Sequence, residues 1–166
     1  MRICIFAVCL TAAIVSSTFA QNVPVAVIGE DGIIELTMPE ADLLRAMNRE
    51  LESGQRLTDT WQRLTRVRID EGPITYLVGE ADFFVIAYEC TRRGDSYIIN
   101  PDGITHSCTA SHCGACGFRR SGEGEIIGCY CAVNAREQTS LCNHTISTPQ
   151  TDFADYLLRM QDGKDE

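Results

Sequence analysis

The sequence predicts an α+β fold: an antiparallel sheet with one long N-terminal helix, a short C-terminal helix and a C-terminal cysteine-rich hairpin module. Three observations predict it. Runs of β-branched and aromatic residues alternate with turn-forming tetrapeptides from Val23 to Ile99, the pattern of strands joined by hairpins. Apolar residues recur at helical spacing after Thr37 and again after Pro149,. Six cysteines crowd into Cys108-x4-Cys113-x2-Cys116-x12-Cys129-x-Cys131-x10-Cys142, a density that core packing does not require and that cross-links or a metal would.

In chain order, residues 1–20 read as a secretory signal: Met1-Arg2 is charged, Ile3 to Val15 is an apolar run, and Thr18 and Ala20 suit the small-residue cleavage positions,. Cleavage before Gln21 removes Cys4 and Cys9 and leaves residues 21–166 as a single exported α+β domain, in the periplasm or outside the cell. No later stretch has the eighteen or so apolar residues of a membrane span,. Without Arg2 there are 13 basic against 23 acidic residues, a net charge of −10. That balance repels nucleic acid and anionic membranes at long range, so neither is expected as a partner. A chain of this length buries roughly two thirds of its surface on folding, enough for an ordinary core without cross-links.

Val23 to Leu36 predicts a β-hairpin turning at Gly29-Glu30-Asp31-Gly32, since Asp-Gly readily supplies positive φ. Thr37-Met38-Pro39-Glu40 reads as a capping box, with the Thr37 hydroxyl accepting from the Glu40 N–H,. The helix that follows places Leu44, Met47 and Leu51 on one face with Leu43 beside them, and Gly54 at its C-terminal cap,. Trp61, Leu64 and Arg68 suit a helix, but Thr65, Val67 and Ile69 alternate, and a strand from about Leu64 is favoured,. Pro73 to Val78, Phe83 to Thr91 and Tyr97 to Ile99 continue as a meander, with Phe84, Ile86, Tyr88 and Cys90 on one face,. Residues 106–148 form a cysteine-rich excursion from this sheet. Over 151–161, Phe153, Tyr156, Leu157 and Met160 repeat at helical intervals, and so short a helix needs the sheet to pack on. Residues 163–166 are an acidic, frayed tail.

The chain carries no Gly-rich phosphate loop, no Gly-x-Ser-x-Gly elbow and no His-Glu-x-x-His helix, so the chemistry on offer is that of the cysteines. An oxidising compartment pairs thiols. Of the seven mature cysteines Cys90, on a strand face, is the natural unpaired one, and Cys108, Cys113, Cys116, Cys129, Cys131 and Cys142 then form three disulfides in one of fifteen connectivities,. A hairpin with a two-residue turn at Gly122-Glu123 would set Arg120 against Glu125, Phe118 against Ile127 and Cys116 against Cys129, predicting a Cys116–Cys129 bridge,. Arg119 and Arg120 read as cross-strand partners of Glu123 and Glu125,.

The alternative is a metal. Cys113-x2-Cys116 and Cys129-x-Cys131 resemble the two ligand pairs of a zinc ribbon, and that resemblance implies a zinc site on Cys113, Cys116, Cys129 and Cys131, with His112 or His144 able to replace a thiolate,. Cys108-x4-Cys113-x2-Cys116 with distant Cys142 is similar to the cluster loop of plant-type ferredoxins, which implies an iron–sulfur electron carrier,. A third reading makes Cys113-Gly114-Ala115-Cys116 a thiol oxidoreductase pair activated by His112, but the residues after Cys116 read as a strand and not as the activating helix,. His106, His112 and His144 are otherwise expected as exposed polar residues,. Asn143-His144-Thr145 is an N-glycosylation sequon and implies an exposed loop,. The sequence therefore predicts an exported, acidic, non-enzymatic binding or structural protein stabilised by disulfides. It needs no cofactor on that reading, and zinc or an iron–sulfur cluster on the alternative.

Overall fold

The hairpin at Asp31-Gly32 forms as the turn chemistry dictates. β1 (Pro24–Ile28) pairs antiparallel with β2 (Ile34–Leu36), and the Ile33 N–H donates to the Asp31 carboxylate. The structure, a computed structural model, describes residues 23–53, 63–111, 113–133, 136–138, 142–147 and 151–161. The signal peptide and its cleavage site, the Gly54 cap, Trp61, His112 and the acidic tail lie outside the described residues.

α1 (Glu40–Ser53) has 14 residues and follows two strands, so the helix expected to be long and N-terminal is neither. At 1.5 Å per residue it spans only about 21 Å. Its start also differs from a capping box. Thr37, just past β2, bonds back to β1, its N–H donating to Val25 O and its hydroxyl to Pro24 O, and the Glu40 carboxylate accepts from the Val67 N–H at 3.1 Å. Two neighbouring strands, β1 for Thr37 and the strand carrying Val67 for Glu40, offered these side chains backbone partners in place of the helix terminus. Leu43, Ala46, Met47 and Leu51 form the buried face. Asn48, also buried, receives the Leu64 N–H at 2.8 Å and donates to the Leu64 carbonyl at 3.2 Å, so the chain entering the next strand has its polar groups satisfied.

That strand, β3 (Arg66–Asp70), pairs with β4 (Thr75–Glu80), and β4 with β5 (Phe84–Arg93). β5 changes partner along its other edge: Phe84 to Tyr88 pair with β7 (Thr105–Ala110), and Cys90 to Arg93 with β6 (Ser96–Ile99). Glu89 marks the change. Its carboxylate accepts from Asn100 Nδ2 and the Ile104 N–H, pinning the loop between β6 and β7. β6 continues to β1, and β7 to β11 (Cys142–Ser147), giving an eight-stranded, wholly antiparallel sheet curled toward a barrel. A second sheet of three strands contains β8 (Cys116–Arg120), β9 (Ile126–Val133) and β10 (Arg136–Gln138).

Alternation along β4 and β5 sends their side chains to two separate cores. Leu77, Phe84, Ile86, Tyr88 and Cys90 face α1 and α2 (Thr151–Gln161), where Phe153 lies 4.3 Å from the Tyr88 ring centroid and Leu157 is fully buried. Gly79 allows α1 to approach, because a Cβ there would stand 2.6 Å from Met47 Cε. Tyr76, Val78, Val85 and Ala87 face the cysteine module, together with Ile126 and five buried cysteines. β4 and β5 are consequently covered on both faces, as the middle layer between two helices and a small disulfide-bearing sheet.

Candidate functional site

The cysteine module is positioned by the tip of the β8–β9 hairpin. Two closures define that tip: the Ser121 N–H donates to Glu125 O at 2.8 Å, and the Gly124 N–H to Ser121 O at 3.1 Å. Gly124 has φ +87°, so the connection is a three-residue loop ending in a left-handed glycine, not the two-residue turn expected at Gly122-Glu123. A second irregularity falls between Arg119 and Arg120. Each inserts one residue, and together they shift the register by two. Side chains keep their faces, but every cross-strand partner changes. Phe118 stands opposite Cys129, and Cys116 opposite Cys131.

What selects this loop is its seat on the large sheet. A Cβ on Gly124 would lie 2.9 Å from Pro73 Cδ, so only glycine lets the tip rest on the turn between β3 and β4. Arg120, expected to pair with Glu123 or Glu125, reaches instead to Asp70 Oδ2 at 2.5 Å and donates to Ile74 O and Gly124 O. Its guanidinium covers the Tyr76 ring at 4.7 Å.

The corrected register removes the expected Cys116–Cys129 bridge. The six cysteines of the module instead pair as Cys108–Cys129, Cys113–Cys131 and Cys116–Cys142, with Cα separations of 5.9, 5.9 and 6.2 Å, within the ordinary range for a disulfide. In chain order these join first to fourth, second to fifth and third to sixth. Cys108–Cys129 ties β7 to β9 and Cys116–Cys142 ties β8 to β11, so both fasten the small sheet to the last two strands at one end of the large one. Cys90 is unpaired and buried, and burial pushes its thiol up to about 12.

The Sγ atoms of Cys113, Cys131 and Cys142 lie within 4.8 Å of one another, and Cys116 is bonded to the last of them. Two bridges are thus in contact. The four sulfurs gathered here differ from the zinc-ribbon set of Cys113, Cys116, Cys129 and Cys131: Cys129 is engaged with Cys108, and Cys142 from β11 takes the fourth place. The iron–sulfur spacing fares similarly, since Cys108 is held by Cys129. The Cys113-x-x-Cys116 pair is bonded outward to two different partners and opens a strand, so no helix N-terminus is present to lower a thiol pKa. β7 and β11, which carry Cys108 and Cys142, were not anticipated as strands. The alternation in Cys142-Asn143-His144-Thr145-Ile146 was the available signal, and the sequon now lies on this edge strand with Asn143 and Thr145 exposed.

Beside the bridges runs a column of rings that the sequence did not suggest. The Tyr76 ring meets His106 edge-on at 5.9 Å, and His106 lies parallel to His144 with centroids 5.4 Å apart. His106 is buried, contrary to the expectation of an exposed histidine. Burial, then the neighbouring His144, lowers its pKa to about 4, and burial also lowers that of His144. Among the described residues no helix is long and apolar enough to cross a membrane. Set against models of known protein families, against curated proteins and against solved structures, the chain matches none.

Proposed function

We propose that the protein is an exported, non-enzymatic binding or structural protein, with the small sheet held rigidly on the large one by disulfides. The observation that carries this reading is the pairing of all six module cysteines at bonding distance, a state native to the periplasm or the extracellular space. The titratable groups support the non-enzymatic part. His106 and His144 are committed to each other, and the Cys90 thiol stays protonated at neutral pH. The test is a thiol count with non-reducing peptide mapping on protein isolated from its native source. One thiol, reactive only after denaturation, and the three bridges above are expected. Seven thiols, or metal bound to the protein as isolated, would overturn the reading.

A further inference from the structure

We propose that reduction converts the two touching bridges into a four-thiolate zinc site made of Cys113, Cys116, Cys131 and Cys142. The geometry needed is already close. Tetrahedral zinc with Zn–S bonds of ~2.3 Å sets its sulfurs about 3.8 Å apart. The bonded sulfurs of each bridge must separate to that distance, whereas the Cys113 and Cys131 sulfurs already lie within 4.8 Å of that of Cys142, and Cys116 is carried there by its bond to Cys142. Rotation about the Cα–Cβ bonds supplies the separation, since the paired Cα atoms stand 5.9 and 6.2 Å apart.

The supports are of the kind a structural zinc site uses. Cys113-Gly114-Ala115-Cys116 is a short loop giving two ligands from one turn of chain. Cys131 comes from the C-terminal half of β9 and Cys142 is the first residue of β11, so the other two ligands are held by separate strands. Cys113, Cys131 and Cys142 are buried, which keeps water from the metal. Each bridge takes two electrons and two protons from one equivalent of a dithiol, which is itself oxidised to a disulfide. Zinc(II) then displaces the four thiol protons. The third bridge, Cys108–Cys129, contributes no ligand. Metal occupancy and cross-linking thus exclude each other at the same four sulfurs, and the redox state of the surroundings selects between them.

This inference goes beyond the disulfide reading. Failure to bind zinc would leave the bridges as they are, and metal in the protein as isolated would sink that reading alone. The experiment reduces the full mature chain anaerobically, removes the reductant and adds zinc(II) or cobalt(II) in excess before desalting. One equivalent of metal retained by the reduced chain and none by the oxidised chain is expected. Cys129→Ser should retain it and Cys142→Ser should lose it. Because a variant can fail to fold, the thiolate-to-cobalt charge-transfer intensity of the wild-type chain is read as well, and should correspond to four thiolates. No metal retained, a signal of fewer than four thiolates, or loss in Cys129→Ser with retention in Cys142→Ser would overturn the proposal.

Discussion

His106 Nδ1 and His144 Nε2 stand 3.2 Å apart across the β7–β11 pair, one ring nitrogen donating to the other. Only one proton fits between them. Both rings are held below the ordinary imidazole value of 6.5, His106 at about 4. Glu89 opposes the shift at His106 and Arg120 reinforces it. The unfolded chain therefore binds protons that the folded chain refuses once pH falls below about 6.5, so the stability contribution is full above that pH and is lost as pH falls toward about 4. Urea midpoints measured from about pH 7 down to about pH 5 should decline, and His106→Phe should flatten the decline. An unchanged slope in the variant would assign the pH response elsewhere.

Arg120 joins the hairpin tip to the large sheet through Asp70, Ile74 O, Gly124 O and the Tyr76 face. Arg120→Ala should cost about 2 to 3 kcal/mol, since it strands a partly buried carboxylate and two carbonyls. Arg120→Lys should recover less than half, because an ammonium can neither stack flat on Tyr76 nor fork between acceptors. Denaturant titration of the two variants measures the difference, and equal stabilities would refute the fork.

Gly124→Ala meets two obstacles at once, a left-handed φ and a Cβ placed 2.9 Å from Pro73 Cδ. A loss of roughly 1 to 3 kcal/mol is expected. Gly122→Ala, with open space at its Cβ, serves as the control and should be nearly silent. Thermal unfolding of the pair tests whether the tip is seated as described.

Leu157 is fully buried in the core shared by the helices and the sheet. Leu157→Ala should cost roughly 2 to 4 kcal/mol, and truncation before Thr151 should lower the melting temperature at least as far as Leu157→Ala does. A truncated chain that melts where the full one does would show α2 to be dispensable.

The bridges can be tested in pairs. Cys116→Ser with Cys142→Ser removes one cross-link and should cost roughly 3 kcal/mol by the chain-entropy argument. Cys116→Ser with Cys129→Ser breaks two, leaving Cys108 and Cys142 without partners, and should cost about twice as much. Equal costs, or the reverse order, would contradict the observed connectivity.

The elements best anticipated from sequence were those whose signal is local. Asp31-Gly32 formed its hairpin, Phe84, Ile86, Tyr88 and Cys90 shared one face, and Phe153 and Leu157 returned to the sheet. The hairpin of the module was misjudged because its register is not decided within itself. Gly122-Glu123 suits a two-residue turn locally, but Pro73, nearly fifty residues earlier, selects the longer loop. That shift of two residues preserved the side-chain faces while moving Cys116 from opposite Cys129 to opposite Cys131, so a pattern of alternating residues could not detect it. The burial of His106 was likewise invisible, since it depends on Tyr76 and His144 arriving from distant strands. Thr37 and Glu40 matched a capping box by spacing alone, and each found a partner in another strand.

Because the bridges join first to fourth, second to fifth and third to sixth cysteines, each one straddles an end of the other two. Cutting the backbone anywhere between Cys108 and Cys142 leaves at least one bridge spanning the cut, and cutting after Arg119 or Arg120 leaves all three. A protease acting on the module therefore produces a nicked protein and not two fragments: β11 and the helix behind it stay covalently attached to the body. Wherever a hydrolase reaches the β8–β9 hairpin, the chain can be cleaved there and still remain one molecule.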